Sequence, residues 1–232
     1  MTKEIYARRQ ANIYWWSYTV VGVIILLILL LFTSGLGALG LFLVVYTSSG
    51  MIGWFLRVRK KYQRWEKGAT GEETVAYYLS ILEPTYKIYN DLLLPDAKGN
   101  IDHLVVGKGG IFVIETKYFT GKIYCEKDEW YRKQGDDRVF LKSPSLQVKS
   151  GCVRLKNFID DRGHFQNLWV QGIVMMANDD CIIESHEETV PILRNYQIAA
   201  FIKKRKTIFS RQDIKQVQKI IEMELKNAPA GI

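Results

Sequence analysis

The chain has 232 residues, 48% of them hydrophobic, which is enough for one or two folded domains and excludes an intrinsically disordered protein. Its formal net charge of +8 is unevenly distributed: residues 1–67 contain nine Lys or Arg against two Asp or Glu, whereas residues 68–232 contain 23 against 22. The positive excess therefore lies in the N-terminal part, where anionic lipid headgroups explain it at least as well as nucleic acid. Three widely spaced cysteines without a C-x-x-C pair predict reduced thiols: Cys125, Cys152 and Cys181.

Two uncharged stretches near the N-terminus predict a transmembrane helical hairpin over residues 1–56. The first span, 14–32, would cover roughly 28 Å as a helix, close to the thickness of the hydrocarbon core of a bilayer. The second span, 36–56, is weaker because glycines and serines dilute it. Such small residues suit close helix packing, so we expect the lipid bilayer as a partner and self-association through the membrane helices.

Positive residues flank both predicted spans and are absent from the turn between them. This pattern predicts a two-span protein of the cell membrane with both termini and the soluble domain on the cytoplasmic side. A basic juxtamembrane connector, 57–67, is expected to continue the second helix. Two alternatives stay open: a cleaved signal peptide, which the immediately following second span argues against, and a buried apolar hairpin in a soluble protein.

Residues 68–232 predict an α/β domain. Apolar residues at helical spacing indicate helices, and segments rich in β-formers bounded by Gly, Pro or Asn indicate strands. Strands 101–107 and 111–117 should pair as a hairpin, and segments 121–126 and 130–140 should continue the same antiparallel sheet. The other predicted elements are helices at 72–82, 147–159 and 211–225, a strand at 86–94 and a buried strand at 168–176; segment 177–209 has no decisive periodicity.

The predicted hairpin brings two acids and a lysine together. If it closes through a two-residue turn at Lys108-Gly109, Asp102 lies directly opposite Glu115. Cross-strand neighbours have Cβ atoms about 4.5–5.5 Å apart, close enough for both carboxylates to bind one divalent ion. Lys117 is two residues beyond Glu115 and so lies on the same face of its strand. Opposed acids destabilise a sheet unless a cation neutralises them, which predicts Mg²⁺ or Mn²⁺ as the cofactor.

This constellation predicts hydrolysis of a phosphodiester. A metal held by Asp102 and Glu115 would polarise a phosphoryl oxygen and activate water, and Lys117 would position that water or stabilise charge on the phosphate. Glu72, at the start of the predicted first helix, is a candidate third ligand or a residue that supports the ligands. The simpler interpretations are an incidental salt bridge for the acid and lysine pair and a helix-dipole acid for Glu72.

A series of short motifs in this region resembles the nuclease-related domain (NERD) of the PD-(D/E)-x-K nuclease superfamily. The resemblance runs from about Gly68 to Ile159, with Ile101 in place of the superfamily's Pro. It implies a mixed central β-sheet flanked by helices and a Mg²⁺-dependent site at Glu72, Asp102, Glu115 and Lys117, with Gln147 nearby. The motifs are Gly68-x-x-Gly71-Glu72, Asn90-Asp91, Gly99-Asn100-Ile101-Asp102-His103, Gly110 to Lys117, Gly121-Lys122-Ile123 and Pro144-x-x-Gln147.

Three functional hypotheses follow. The first is a membrane-anchored nuclease acting on nucleic acid, with DNA as the expected substrate. The second is a weakly active or inactive nuclease-fold module that binds nucleic acid or protein at the membrane, which the near-neutral charge of residues 68–232 favours. The third makes the membrane hairpin the working part, regulated by the domain. His103 is expected on the opposite strand face in a structural role, and the cationic run 203–206 is interpreted as solvated surface.

Overall fold

The computed structural model describes residues 18–19, 21–26, 29, 38–95, 99–163, 165 and 168–227. Its contacts divide the chain into two units, Met1–Thr70 and Gly71–Ile232. Helix α1, Ala38–Ser80, begins in the first unit and ends in the second. It covers all of the basic connector 57–67, which confirms the prediction that this segment is helical.

The predicted transmembrane hairpin is not supported. Much of the first span lies outside the described residues, as do residues 36–37 of the second. Within the part of the chain that the structure describes, no helix is both long enough and apolar enough to cross a bilayer.

The second unit contains two β-sheets flanked by helices. The central sheet has five strands in the order β1-β2-β3-β7-β9, in which β3, β7 and β9 are parallel and the β1-β2-β3 part is antiparallel. The second sheet has four strands in the order β6-β5-β4-β8. The strands are Lys87–Leu92 (β1), Ile101–Gly107 (β2), Gly110–Lys117 (β3), Lys122–Glu126 (β4), Glu129–Gln134 (β5), Asp137–Leu141 (β6), Val170–Met176 (β7), Ile182–His186 (β8) and Ile192–Arg194 (β9).

Helices cover both faces of the central sheet, which explains why its inner strands are buried along most of their length. On one face, the end of α1 and helix α3, Ile198–Lys203, supply Val75, Leu79 and Ile202 to the core. On the other face, helices α2, Pro144–Gly163, and α4, Arg211–Asn227, complete a core that also takes in the inner side of the second sheet. A short 3₁₀ helix, Asn195–Gln197, leads into α3.

Most predicted elements are confirmed, and two interpretations are wrong. The strands predicted at 121–126 and 130–140 do not extend the first sheet, because they form the separate second sheet together with β8. The segment 130–140 is two strands joined by a turn at Gly135, where φ is +63°. Segment 177–209, which sequence periodicity left unassigned, contains β8, β9 and α3. The three cysteines are free.

Gly107 lies at the turn end of the β2–β3 hairpin, where the backbone packs closely against the Tyr86 ring. A Cβ at this position would lie 2.2 Å from Cδ1 of the buried Tyr86 ring. Gly107→Ala should therefore lower the free energy of unfolding by about 1–3 kcal/mol, as overpacking does in well-packed cores. Gly68→Ala is the control, because no atom lies within 4 Å of its new methyl group and a helical Ala is stabilising by roughly 0.5–1 kcal/mol. Equal urea midpoints for the two variants would contradict the packing argument.

Candidate active site

The β2–β3 hairpin has the register that the sequence predicts. Its ladder pairs Gly107 with Gly110 and His103 with Ile114, so the turn is Lys108-Gly109. Gly110 has a φ of +130°, a backbone conformation that L side chains rarely adopt. The next step of this register places Asp102 opposite Glu115, just beyond the last paired residues.

Hydrogen bonds hold both carboxylates at the end of the hairpin. Asp102 Oδ2 accepts the backbone N–H of Thr116 at 2.7 Å, so the aspartate side chain contacts β3 where the ladder between the strands has stopped. Lys117 Nζ donates to Glu115 Oε1 at 2.5 Å. The Glu115 and Lys117 side chains are only 14% and 23% exposed, so this ion pair is largely shielded from solvent. The structure thus brings together the predicted acid, acid and lysine set.

Glu72 joins this cluster from the other side of the sheet. It lies within the continuous helix α1, not at a helix start, so the helix-dipole interpretation of this residue is wrong. Burial, together with the negative charges of Asp102, Asp91 and Glu115, raises the pKa of Glu72 to about 8. Burial and the Glu115 carboxylate also raise the pKa of Asp102, while the Thr116 N–H and Lys117 oppose the shift. The cluster therefore contains more carboxyl groups than its single lysine can neutralise, so the raised pKa values let Glu72 and Asp102 hold protons more readily when no cation is bound.

A groove of about 730 Å³ opens beside the acids. Asp102 and Glu115 form part of its wall, and Gln147 of α2 lies in the same wall. The Oε1 atom of Gln147 is buried and has no hydrogen-bond partner among the described residues. Buried polar atoms are nearly always satisfied, so this oxygen marks a place for a ligand or an ordered water.

The donor set fits a hard divalent cation. Carboxylate and amide oxygens are the ligands that Mg²⁺ accepts, and a cation would relieve the crowding of acids around Asp102 that raises their pKa values. No group of three or more His, Cys, Asp or Glu among the described residues is placed to hold a metal ion together. Mg²⁺ is commonly held by one or two carboxylates, with water and substrate phosphates as its other ligands. The pair Asp102 and Glu115 has that composition.

Three further residues belong to the site and were missed by the sequence analysis. Asp91, at a positive φ of 55°, accepts a hydrogen bond from Asn100 and adds its charge to the environment of Glu72 and Asp102. Lys142 and Arg154 line the groove and supply positive charge. Arg154 was detectable from sequence, because Gln147 and Arg154 are seven residues apart and so share a helix face. Asp91 is part of the Asn90-Asp91 motif, but no spacing rule connects it with Asp102 or Glu115.

His103 has the structural role expected of it. It is 1% exposed and faces away from Asp102, and its Nδ1 lies 2.8 Å from Asn90 Oδ1 on β1. Burial lowers the pKa of His103 to about 3, so the ring is neutral at physiological pH. Trp130 is likewise a core residue, with its Nε1 donating to Ser145 Oγ at 2.9 Å.

The raised pKa of Glu72 predicts the pH dependence of stability without metal. Between its ordinary value of 4.5 and about 8 the folded chain holds a proton that the unfolded chain has released. The free energy of unfolding in EDTA should therefore fall as pH rises through this window. Glu72→Gln should flatten the profile, whereas Glu188→Gln, which removes an exposed carboxylate, should not. Thermal unfolding in EDTA from pH 5 to 8 checks this, and a stability that rises with pH would contradict it.

Comparisons with known proteins support the resemblance of this region to the nuclease-related domain. Residues 67–177, just under half of the chain, match the model of the nuclease-related domain. An uncharacterized protein of Bacillus anthracis is 35% identical over 94 residues, which is 39% of this chain and 42% of that protein. The chain thus spans less than half the length of this curated relative. No solved structure matches the chain. Because the matched segment contains Glu72, Asp102, Glu115, Lys117 and Gln147, it supports the resemblance to the nuclease-related domain family and suggests a nuclease-related function.

Proposed function

We propose that the chain is a metal-dependent nuclease that hydrolyses phosphodiester bonds, with DNA as the expected substrate. The observation that carries the proposal is the half-buried meeting of Asp102, Glu115 and Lys117 beside an open groove. An acid cluster whose pKa values are shifted by burial and like charges, and which lies in a cleft, is typical of a catalytic site. The match of this segment to the nuclease-related domain supports this reaction class.

Each residue has a role that follows from its place in the groove. Asp102 and Glu115 would hold Mg²⁺ or Mn²⁺, which when bound supplies Lewis-acid activation of the phosphodiester and of water, and Glu72 would support this pair from behind instead of acting as a third ligand. Lys117, fixed by Glu115, presents an ammonium to the negative charge that develops on the phosphate. Lys142 and Arg154 supply cations for neighbouring phosphates, and the Gln147 amide oxygen accepts a hydrogen bond from water or substrate.

The decisive experiment is cleavage by the full chain. Labelled plasmid, linear DNA and RNA are incubated with Mg²⁺, Mn²⁺ or EDTA. Cutting should require metal and fall about 100-fold or more in Glu115→Ala and Lys117→Ala, the size of loss expected when a group that stabilises charge is removed. Lys122→Ala is the matched control, because it breaks the exposed Lys122–Glu184 ion pair of 2.6 Å on the second sheet. Equal losses in all three variants would contradict the assignment.

A binding module on the same fold is the second candidate. It is favoured by the balanced charge of residues 68–232, which lack the broad basic surface of a processive DNA enzyme. Metal distinguishes the two functions even where no cleavage is seen. An occupied site predicts that Mg²⁺ raises the melting temperature of the wild type but not of Asp102→Ala. A chain that neither cuts nucleic acid nor responds to metal would favour the binding module.

We also propose that the apolar stretches of the N-terminal unit insert into the cell membrane, with the second unit on the cytoplasmic side, and that they permit self-association. Support comes from the uncharged stretches of its sequence and from large apolar side chains that are exposed within it. In the first stretch Leu26 is 59% exposed and Leu29 53%, and in the second Val45 is 61% and Ile52 57%. Apolar surface on this scale favours contact with lipid or with another copy of the chain.

Carbonate extraction of cells that express the full chain tests this attachment. The wild type should stay in the membrane pellet, and external protease should leave it intact in spheroplasts. Ile25→Asp should release a large fraction of the chain, because an acid at the centre of a span costs about 2.5–3.5 kcal/mol on insertion. Glu4→Asp, outside the stretch, should have no effect. Release of the wild type into the supernatant would refute the proposal.

A further inference from the structure

The end of the central sheet that lies away from the acids carries a dense group of cations. Lys108 lies in the β2–β3 turn, and the end of α3 with the segment that follows it supplies Lys203, Lys204, Arg205 and Lys206. All five side chains are exposed. No ion pair within the described part of the chain involves any of them. In a unit with nearly balanced charge, these cations form a local positive surface.

Close contacts between the two segments show that these cations form one surface. The Ile208 N–H donates to the Lys108 carbonyl at 3.0 Å. A side chain at Gly109 would begin 2.9 Å from Cβ of Arg205. The turn and the segment after α3 are thus held against each other, and their cations are neighbours. We call these five cations, together with Trp169 and Ile208, the basic patch.

Two large apolar side chains lie in the basic patch. Trp169 is 60% exposed and Ile208 50% exposed. A side chain at Gly110 would begin 3.5 Å from Ile208 Cδ1 and 4.0 Å from the backbone oxygen of Trp169, so both residues border the start of β3. An exposed tryptophan and an exposed isoleucine beside a group of Lys and Arg are the combination that binds the headgroup region of a bilayer.

From this combination we infer that the basic patch docks on a membrane surface that contains anionic lipids. The cations are attracted to the negative headgroups, and Trp169 and Ile208 bury apolar area at the boundary of the acyl chains. A nucleic-acid backbone would satisfy the cations but would leave Ile208 without an apolar partner. The patch also lies apart from the acids, since Glu115 is five residue steps along β3 from Gly110, or roughly 17 Å of strand.

Docking through the basic patch has a consequence for the acid groove. Glu115 and Lys117 lie at the opposite end of β3, so this orientation turns the groove away from the lipid and leaves it open to a substrate in solution. Docking is a property of this surface of the second unit and does not depend on cleavage of nucleic acid in the groove.

Hydrogen exchange on the full chain tests the inference at the patch itself. The chain is bound to vesicles of phosphatidylcholine alone or with added phosphatidylglycerol, and exchange of the amides of residues 203–209 is followed by mass spectrometry. Anionic vesicles should slow this exchange by about tenfold relative to neutral vesicles. High salt should abolish the difference, because the interaction is between solvent-exposed charges.

Variants with matched charge assign the effect to the patch. Lys203→Glu, Lys204→Glu and Lys206→Glu together should abolish the slowing. The control, Lys127→Glu, Lys133→Glu and Lys156→Glu, makes the same charge change at exposed positions elsewhere and should retain it. Equal exchange in neutral and anionic vesicles would overturn the inference. It would also be overturned if a DNA oligonucleotide, added with neutral vesicles, produced the slowing, because the patch would then be a nucleic-acid surface.

Discussion

The candidate site depends on the register of one β-hairpin. A two-residue turn at Lys108-Gly109, followed by Gly110 in a conformation suited to glycine, fixes which residues of β2 and β3 face each other. A slip of one residue would send Asp102 and Glu115 to opposite faces of the sheet. The tight contact of Gly107 with Tyr86 adds a second constraint close to the same turn. The acids therefore meet because of backbone geometry set at the far end of the hairpin.

That register gathers more acidic groups than the fold supplies with cations of its own. Asp102 obtains one backbone N–H and Glu115 obtains one ammonium, while Glu72 adds a third carboxyl group to the same region. Burying like charges together costs stability, and the protein bears that cost where a groove gives access to the cluster. Unfavourable burial of neighbouring acidic groups is typical of functional sites, where a cation or a substrate can compensate for its cost.

Sequence predicted the hairpin and its acids because these features are local. Turn chemistry and a strand period of two residues are enough to place Asp102 opposite Glu115 and Lys117 beside it. The position of Glu72 was harder to predict from the sequence, because its helix is continuous from Ala38 and covers the other face of the sheet. The second sheet was missed because β4 pairs with β8, a strand far along the chain. Alternation of apolar and polar residues is the same whichever sheet a strand joins, so a non-local parallel partner leaves no signature in the strand itself.

The direction of the parallel strands explains how one small domain separates its two kinds of charge. In open α/β sheets ligands bind outside the carboxyl ends of the strands, and here β3 ends in Glu115 and Lys117 beside the end of its parallel neighbour β7. The amino ends of the same two strands, Gly110 and Val170, border the basic patch. Acids and cations at opposite ends of the same strands do not pair with each other. Each end therefore keeps groups that have no partner at the other end. This separation suits the metal and phosphodiester of the proposed nuclease at one end and the inferred anionic lipid surface at the other.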